Sequence, residues 1–333
     1  MKNQHYYIKL ISLIVITTTL VTISICYDCI SSLFEGNLTE LEYITLTKIR
    51  IPRVISAILS GIALSVSGMQ MQSLFRNPLA GPYVLGISSG GALGVALVTM
   101  GLAFSGITLS GYNAFSGVVI ASAAGCFLFL LIIFAVHLKI RHPATVLVAG
   151  ILLGSAASAI VEILQYLSPE RSVKSFVVWT MGSLSSVDND QIIVFSIFIT
   201  AGLILSLFLN NALNVLRAGE DYAHVLGINV KLARMLVFIS TGTLTGTVVA
   251  FCGPIAFVGV AVPHITRIFL KSSNHRYLFW GNILTGSIIM LLADIGSRFA
   301  VEGIQLPVNA MTSLIGIPVI LYLVLSKNKI LLS

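Results

Sequence analysis

Residues 253–267 read GPIAFVGVAVPHITR. The stretch is apolar enough to lie in a bilayer, yet Gly253, Pro254, Gly259 and Pro263 interrupt any helix it forms. Backbone broken in this way survives at membrane depth only where neighbouring helices or a watery cavity satisfy its polar groups. A second stretch, residues 77–91, has the same character: NPLAGPYVLGISSGG. Paired Gly/Pro-interrupted segments in the two halves of a chain point to an inverted repeat around a transport pathway. That reading requires a membrane-embedded chain in which the two segments run in opposite directions.

Composition meets the first requirement. The 333 residues are 56% hydrophobic and 9% charged, with a mean hydropathy of +0.99. A water-soluble domain carries roughly a quarter of its residues charged, so the solvent here is lipid. The net charge of +7 would suit nucleic acid if it were clustered. The basic residues are instead scattered between apolar runs, which fits lipid headgroups and acidic protein partners and excludes a nucleic-acid role. Cys26 and Cys29 form a CxxC spacing, which can be a redox couple or half a metal site. No second CxxC and no nearby His accompany it, and the pair reads as incidental. The basic start of residues 1–25 resembles a signal peptide. Its apolar part is too long and no small-x-small site follows, so it reads as an uncleaved first span.

A span needs about 20 apolar residues. Ten candidates emerge: Ile8–Cys26, Val54–Leu74, Val84–Leu102, Ala114–Val136, Thr145–Leu167, Ile192–Leu209, Leu232–Cys252, Ile255–Leu270, Leu278–Ile295 and Ala310–Leu325. With both termini cytoplasmic, thirteen Lys and Arg fall inside and six outside, as the positive-inside rule requires. The same topology runs the two broken segments in opposite directions. The expectation is an all-α integral membrane protein of about ten transmembrane helices with an inverted repeat, a single transmembrane domain over residues 1–333.

The exceptions to the charge rule are informative. Residues 48–61, KIRIPRVISAILSG, put Lys48, Arg50 and Arg53 on the outer side. Arg50 and Arg53 are three apart and share a helical face, and Pro52 suits the first turn of a helix. Guanidinium groups form bidentate pairs with carboxylates; the plainer reading is snorkelling to headgroups. On the inner side, residues 216–230, LRAGEDYAHVLGINV, are too polar to span. Glu220 and Asp221 suit the start of a short helix, Ala223 and Leu226 give it an apolar edge, and Gly227 suits its end. Within the spans, Glu162 and Asp294 are the carboxylates that stand out as candidate functional groups. Asp294 lies four residues before Arg298, within reach of an intrahelical pair, and Glu162 lies near the outer side, placed to reach water or line a vestibule.

Several strings together resemble the FecCD family, the membrane subunits of ABC importers for iron-siderophores, haem and cobalamin. They are RIPR (50–53), SGMQMQSLFRNPLAGPYVLGISSGG (67–91), AGEDYAHVLGINV (218–230), GPIAFVGVAVPHITR (253–267), ADIGSR (293–298) and LPVNAMTSLIGIPVILYL (306–323). The resemblance implies two permease subunits side by side in the cytoplasmic membrane, the second an identical copy or a close paralogue, with two ATPase subunits beneath and an extracytoplasmic binding protein above. It implies no cofactor in the permease itself, since ATP and Mg are bound by the ATPase subunits. By resemblance, Arg50, Arg53 and Arg298 dock the binding protein, while Glu220, Asp221, Ala223, His224, Leu226 and Gly227 form the coupling helix against the ATPase. Asn77, Pro78 and Leu79 narrow the cytoplasmic mouth. His224 stands where Arg is more frequent, Gly81 where an acidic residue is common, Gln305 in place of Glu and Asn309 in place of Gly. Iron-siderophore is the first expectation for the cargo, as the largest class in the family.

The alternative is a secondary transporter driven by protons or sodium, for which Glu162 and Asp294 are the obvious coupling groups. It leaves the polar helix at 218–227 without a task. An enzyme fits less well. The six histidines fall at or beyond the inner ends of spans, so none forms a mid-membrane haem pair. HExxH and Walker A motifs are missing.

Overall fold

The computed structural model describes residues 2–26, 39–101, 111–140, 143–299 and 305–325. Cys29 of the CxxC spacing, His142 of the six histidines, and Arg141, Lys327 and Lys329 of the thirteen inner-side cations lie outside the described residues. The described chain is all helical: α1 (Lys2–Cys26), α2 (Glu40–Leu74), α3 (Ile87–Gly101), α4 (Gly111–Lys139), α5 (Pro143–Leu167), α6 (Glu170–Thr180), α7 (Asn189–Ala218), α8 (Glu220–Val225), α9 (Val230–Cys252), α10 (Val258–Leu270), α11 (His275–Phe299) and α12 (Val308–Leu325). Each expected span coincides with one of these. Seven are long and apolar enough to cross a membrane, while α3, α10 and α12 are shorter apolar helices.

Pro52 lies in the first turn of the α-helical run Ile51–Leu74, but α2 begins before it. A capping box between Thr39 and Glu42 starts α2 at Glu40, and residues Leu46–Arg50 form a π turn just before the proline. Widening that turn places the proline, which has no N–H to give, without breaking the helix.

α2 and α9 occupy the centre and pack on one another. α2 packs on α10 and α11 from the second half, while α9 packs on α3 and α4 from the first. This exchange of partners is the pattern an inverted repeat produces. Glycines permit the closest approaches. A Cβ on Gly61 would lie 2.2 Å from the Gly286 carbonyl, one on Gly68 1.7 Å from that of Gly259, and one on Gly90 2.5 Å from that of Gly125. Small residues let helices touch backbone to backbone where lipid offers no hydrophobic drive.

Both broken segments behave as expected. A 3₁₀ turn at Pro82–Leu85 and Gly86 in the left-handed region precede α3, while Gly253 and Phe257, both at positive φ, precede α10. The two breaks meet: the Ile255 amide donates to the Tyr83 hydroxyl at 3.0 Å. The Ala256 amide donates to Asn309 Oδ1 at 3.0 Å. Protein side chains thus satisfy the exposed amides, as membrane depth demands.

The sequence did not single out α6. Its Phe176 is buried with Val95, Met100 and Val161 and stacks on Trp179, ring centroids 6.1 Å apart.

Candidate functional site

Three regions carry polar chemistry: one end of the α1–α2–α11 group, the opposite end around α8, and a groove along α5.

Arg50, Arg53 and Arg298 converge, but not as a row of outward-facing cations. Arg53 is 3% exposed, so its guanidinium is not on an outer rim. Its Nε donates to Asp294 Oδ1 at 2.5 Å and its Nη2 to Ser297 Oγ at 3.1 Å. Asp294, 0% exposed, also pairs with Arg298 Nη2 at 2.8 Å, one turn along α11. Arg298 in turn donates to Ser24 in α1, through Nη1 to the carbonyl at 3.1 Å and through Nη2 to the hydroxyl. Arg50 Nη1 donates to the Ile25 carbonyl at 3.0 Å. The carboxylate therefore holds two arginines and fastens three helices together. The intrahelical Asp294–Arg298 pair is present, and the buried partner Arg53 is added to it.

At the opposite end α8 forms where the polar stretch predicted a short helix. It follows Gly219 at φ +144° and ends at Gly227 at φ +75°, which serves as the terminator. The side chains of Glu220 and Asp221 lie outside the described residues. Ala223 is not on a free edge: it is buried with Leu216, Val230 and Ala233 and anchors α8 to the feet of α7 and α9. The exposed apolar edge comprises Tyr222, Val225 and Leu226, with Val225 84% exposed. His224 is exposed beside them. Helical geometry explains the exchange, since only one side of so short a helix can face its own chain.

The 76–81 turn follows α2. Asn77 Oδ1 accepts the Leu79 amide at 2.9 Å, and the Asn77 carbonyl accepts the Ala80 amide at 3.0 Å. Leu79 is exposed while Asn77 and Pro78 are half-buried. Arg76 reaches across to the Leu216 carbonyl of α7 at 2.9 Å. At Gly81 a Cβ would come within 2.7 Å of Val260, so an acidic side chain there would need local rearrangement.

The groove has a volume of about 520 Å³ and is walled by Tyr83, Gly86, Ser89, Gly154, Ser158 and Glu162 among others. Its wall is largely Gly, Ser and Ala, and Glu162 is its single carboxylate. Among the described residues no group of three or more His, Cys, Asp or Glu could hold a metal ion.

Sequence reasoning passed over Tyr83 and the polar groups inside the bundle. Gln70 of α2 donates to Ser240 at 3.0 Å and accepts from Thr241 at 3.0 Å, both in α9. Gln72 accepts from Arg267 at 2.6 Å and donates to the Val260 carbonyl at 3.0 Å. Their signal was simply a polar amide within an apolar run.

A model of the FecCD transport family matches residues 9–326. The chain is 39% identical over 284 residues to the hemin transport system permease protein HmuU of Yersinia pestis, covering 84% of this chain and 83% of the relative. It is 34% identical over 283 residues to the vitamin B12 import system permease protein BtuC of Salmonella typhi, covering 85% and 84% respectively. A solved structure described as an inward-facing conformation of a metal-chelate type ABC transporter superposes with a TM-score of 0.82 at 29% identity. It covers 96% of this chain and 99% of that one.

Proposed function

We propose a cargo, partners and working parts for this chain from one premise: it belongs to the FecCD transport family and is a multi-pass permease of an ABC importer in the cytoplasmic membrane. The cargo is a metal chelate, an iron-siderophore or haem complex first and cobalamin second. The observation that carries this reading is the match of nearly the whole chain to a metal-chelate type ABC transporter, together with the hemin-permease relative.

Two copies of the chain stand side by side with both termini in the cytoplasm. Two separate subunits bind and hydrolyse ATP, and an extracytoplasmic binding protein delivers the cargo. Arg50 and Arg298, with Arg53 behind them, give the outer end a positive field for acidic residues of the binding protein. Tyr222, Val225 and Leu226 seat α8 in a groove of the ATPase, and closure of the ATPase subunits on ATP moves it. Asn77, Pro78 and Leu79 form the cytoplasmic gate. The α5 groove is a wall of the pathway: small side chains leave room for a bulky complex and offer nothing that would hold it tightly.

The test is uptake in cells lacking the chain and in cells restored with it. The labels are iron in several siderophores, labelled haem and labelled cobalamin, each with and without ATP depletion. One label entering only with the chain and only with ATP supports the reading. Uptake that survives ATP depletion and collapses with the proton gradient overturns it.

A further inference from the structure

The foot of α7 leads through Gly219 directly into α8. It is tied to the rest of the bundle by polar side chains that neither the docking surface nor the gate accounts for. The 30 residues of α7 extend about 45 Å at 1.5 Å per residue, longer than the ~30 Å hydrocarbon core. Arg217 Nη1 donates to the Ser273 carbonyl at 3.0 Å. Asn214 Oδ1 accepts the backbone amide of His275 at 2.8 Å and faces its Nδ1 at 2.8 Å. The other ring nitrogen, Nε2, lies 2.5 Å from the Ser73 hydroxyl at the foot of α2. His275 is 1% exposed.

The network dictates its own proton positions. Asn214 Nδ2 donates to Asn274 Oδ1 at 3.2 Å, so Asn214 presents its oxygen to His275. Nδ1 must therefore carry the proton, and in the neutral ring Nε2 is an acceptor for the Ser73 hydroxyl. That hydroxyl has a second acceptor, the Met69 carbonyl one turn back in its own helix, at 2.8 Å. Rotation about a single bond exchanges a contact between helices for one within α2. The exchange takes from Nε2 of the buried ring its donor, so the arrangement with the interhelical bond is the favoured one. Coupling between distant sites needs an element with two such discrete arrangements.

Ser73 lies three residues before Arg76, where the gate turn begins. Asn214 lies five residues before Gly219, the residue at φ +144° from which α8 starts. We infer that the Ser73–His275–Asn214 chain links α8 to the cytoplasmic gate, with His275 as its positioning residue and the Ser73–His275 bond as the part that breaks and re-forms. The inference rests on the reading of α8 as the ATPase-facing helix.

The experiment uses the permease assembled with its own ATPase subunits in liposomes. A Leu79→Cys reporter is labelled with an impermeant maleimide, in ATP and in ADP, and corrected for the parent's native cysteines. No cargo is needed. In the reporter parent the labelling rate changes with ATP. Ser73→Ala and His275→Ala are expected to shrink that ATP-dependent change about three- to tenfold while ATP hydrolysis stays within about twofold. His275→Gln, whose amide offers both a donor and an acceptor, restores part of the response. Ser73→Ala removes one oxygen atom and decides the matter if His275→Ala fails to assemble. An undiminished response in the variants overturns the inference and leaves the role of α8 standing. So does a response lost only in step with hydrolysis and thermal stability. A parent that neither retains ATPase subunits nor responds to ATP overturns the reading of α8, and the inference with it.

Discussion

Neutralising Asp294 tests the most highly charged contact inside the bundle. Asp294 sits at 2.5 Å from Arg53 and 2.8 Å from Arg298 with no exposed surface. Asp294→Asn keeps the shape and removes the charge. Unit charges about 4 Å apart interact by about 4 kcal/mol at an effective dielectric of about 20. Removing one member of a buried pair costs about 3–5 kcal/mol, because the other is left uncompensated. Asp294→Asn should thus destabilise the chain by about 3 kcal/mol or more, and Arg53→Met by a similar amount. The double variant should cost little more than either alone, since Arg298 retains its bonds to Ser24. Unfolding in mixed detergent micelles, followed by Trp179 and Trp280 fluorescence, would give the three values. A coupling energy of about 2–3 kcal/mol is expected; additivity within about 0.5 kcal/mol would refute the reasoning. The same geometry decides how docking should be tested. Arg53→Glu would bury a second carboxylate against Asp294, so a loss of docking would report misfolding. Arg50→Glu alone, half-buried and bonded to a carbonyl, is the informative substitution, and it should weaken binding-protein capture while ATPase retention holds.

Val225→Asp places a charge on the exposed edge of α8. It should reduce co-purification of the ATPase subunits about tenfold, a loss of about 1.4 kcal/mol, without changing the melting temperature of the permease alone. Asn309→Ala removes the acceptor of the Ala256 amide; an unsatisfied group costs about 1–3 kcal/mol, so thermal denaturation should move down and an unchanged midpoint would count against the stitch. Gly68→Ala drives a methyl to 1.7 Å from the Gly259 carbonyl, whereas at Gly246 the nearest atom is 3.4 Å away. Expression and size-exclusion profiles should therefore show the first variant lost or aggregated and Gly246→Ala close to the parent.

What was legible in the sequence, and what was not, follows from how far each signal reaches along the chain. Apolar runs of span length, the terminating Gly227 and the paired breaks are local patterns, and the structure repeats them. The π turn at Leu46–Arg50 was not legible, because Pro52 suits a helix start and an accommodated interior equally well. The free edge of α8 was misread because one and a half turns give too little periodicity to choose a face. Partners across the bundle are further out of reach. Asp294 shows Arg298 four residues away, but Arg53 lies 241 residues away, and Ser73 and His275 are separated by 202. Residue type still narrows the search: an amide, imidazole or carboxylate within an apolar run needs a partner at membrane depth. That rule marks Asp294 and Glu162 alike, and only packing separates them. Asp294 is closed in by two guanidinium groups and serves the bundle. Glu162 stands exposed in the wall of the α5 groove, so its carboxylate faces open space and not a helix neighbour.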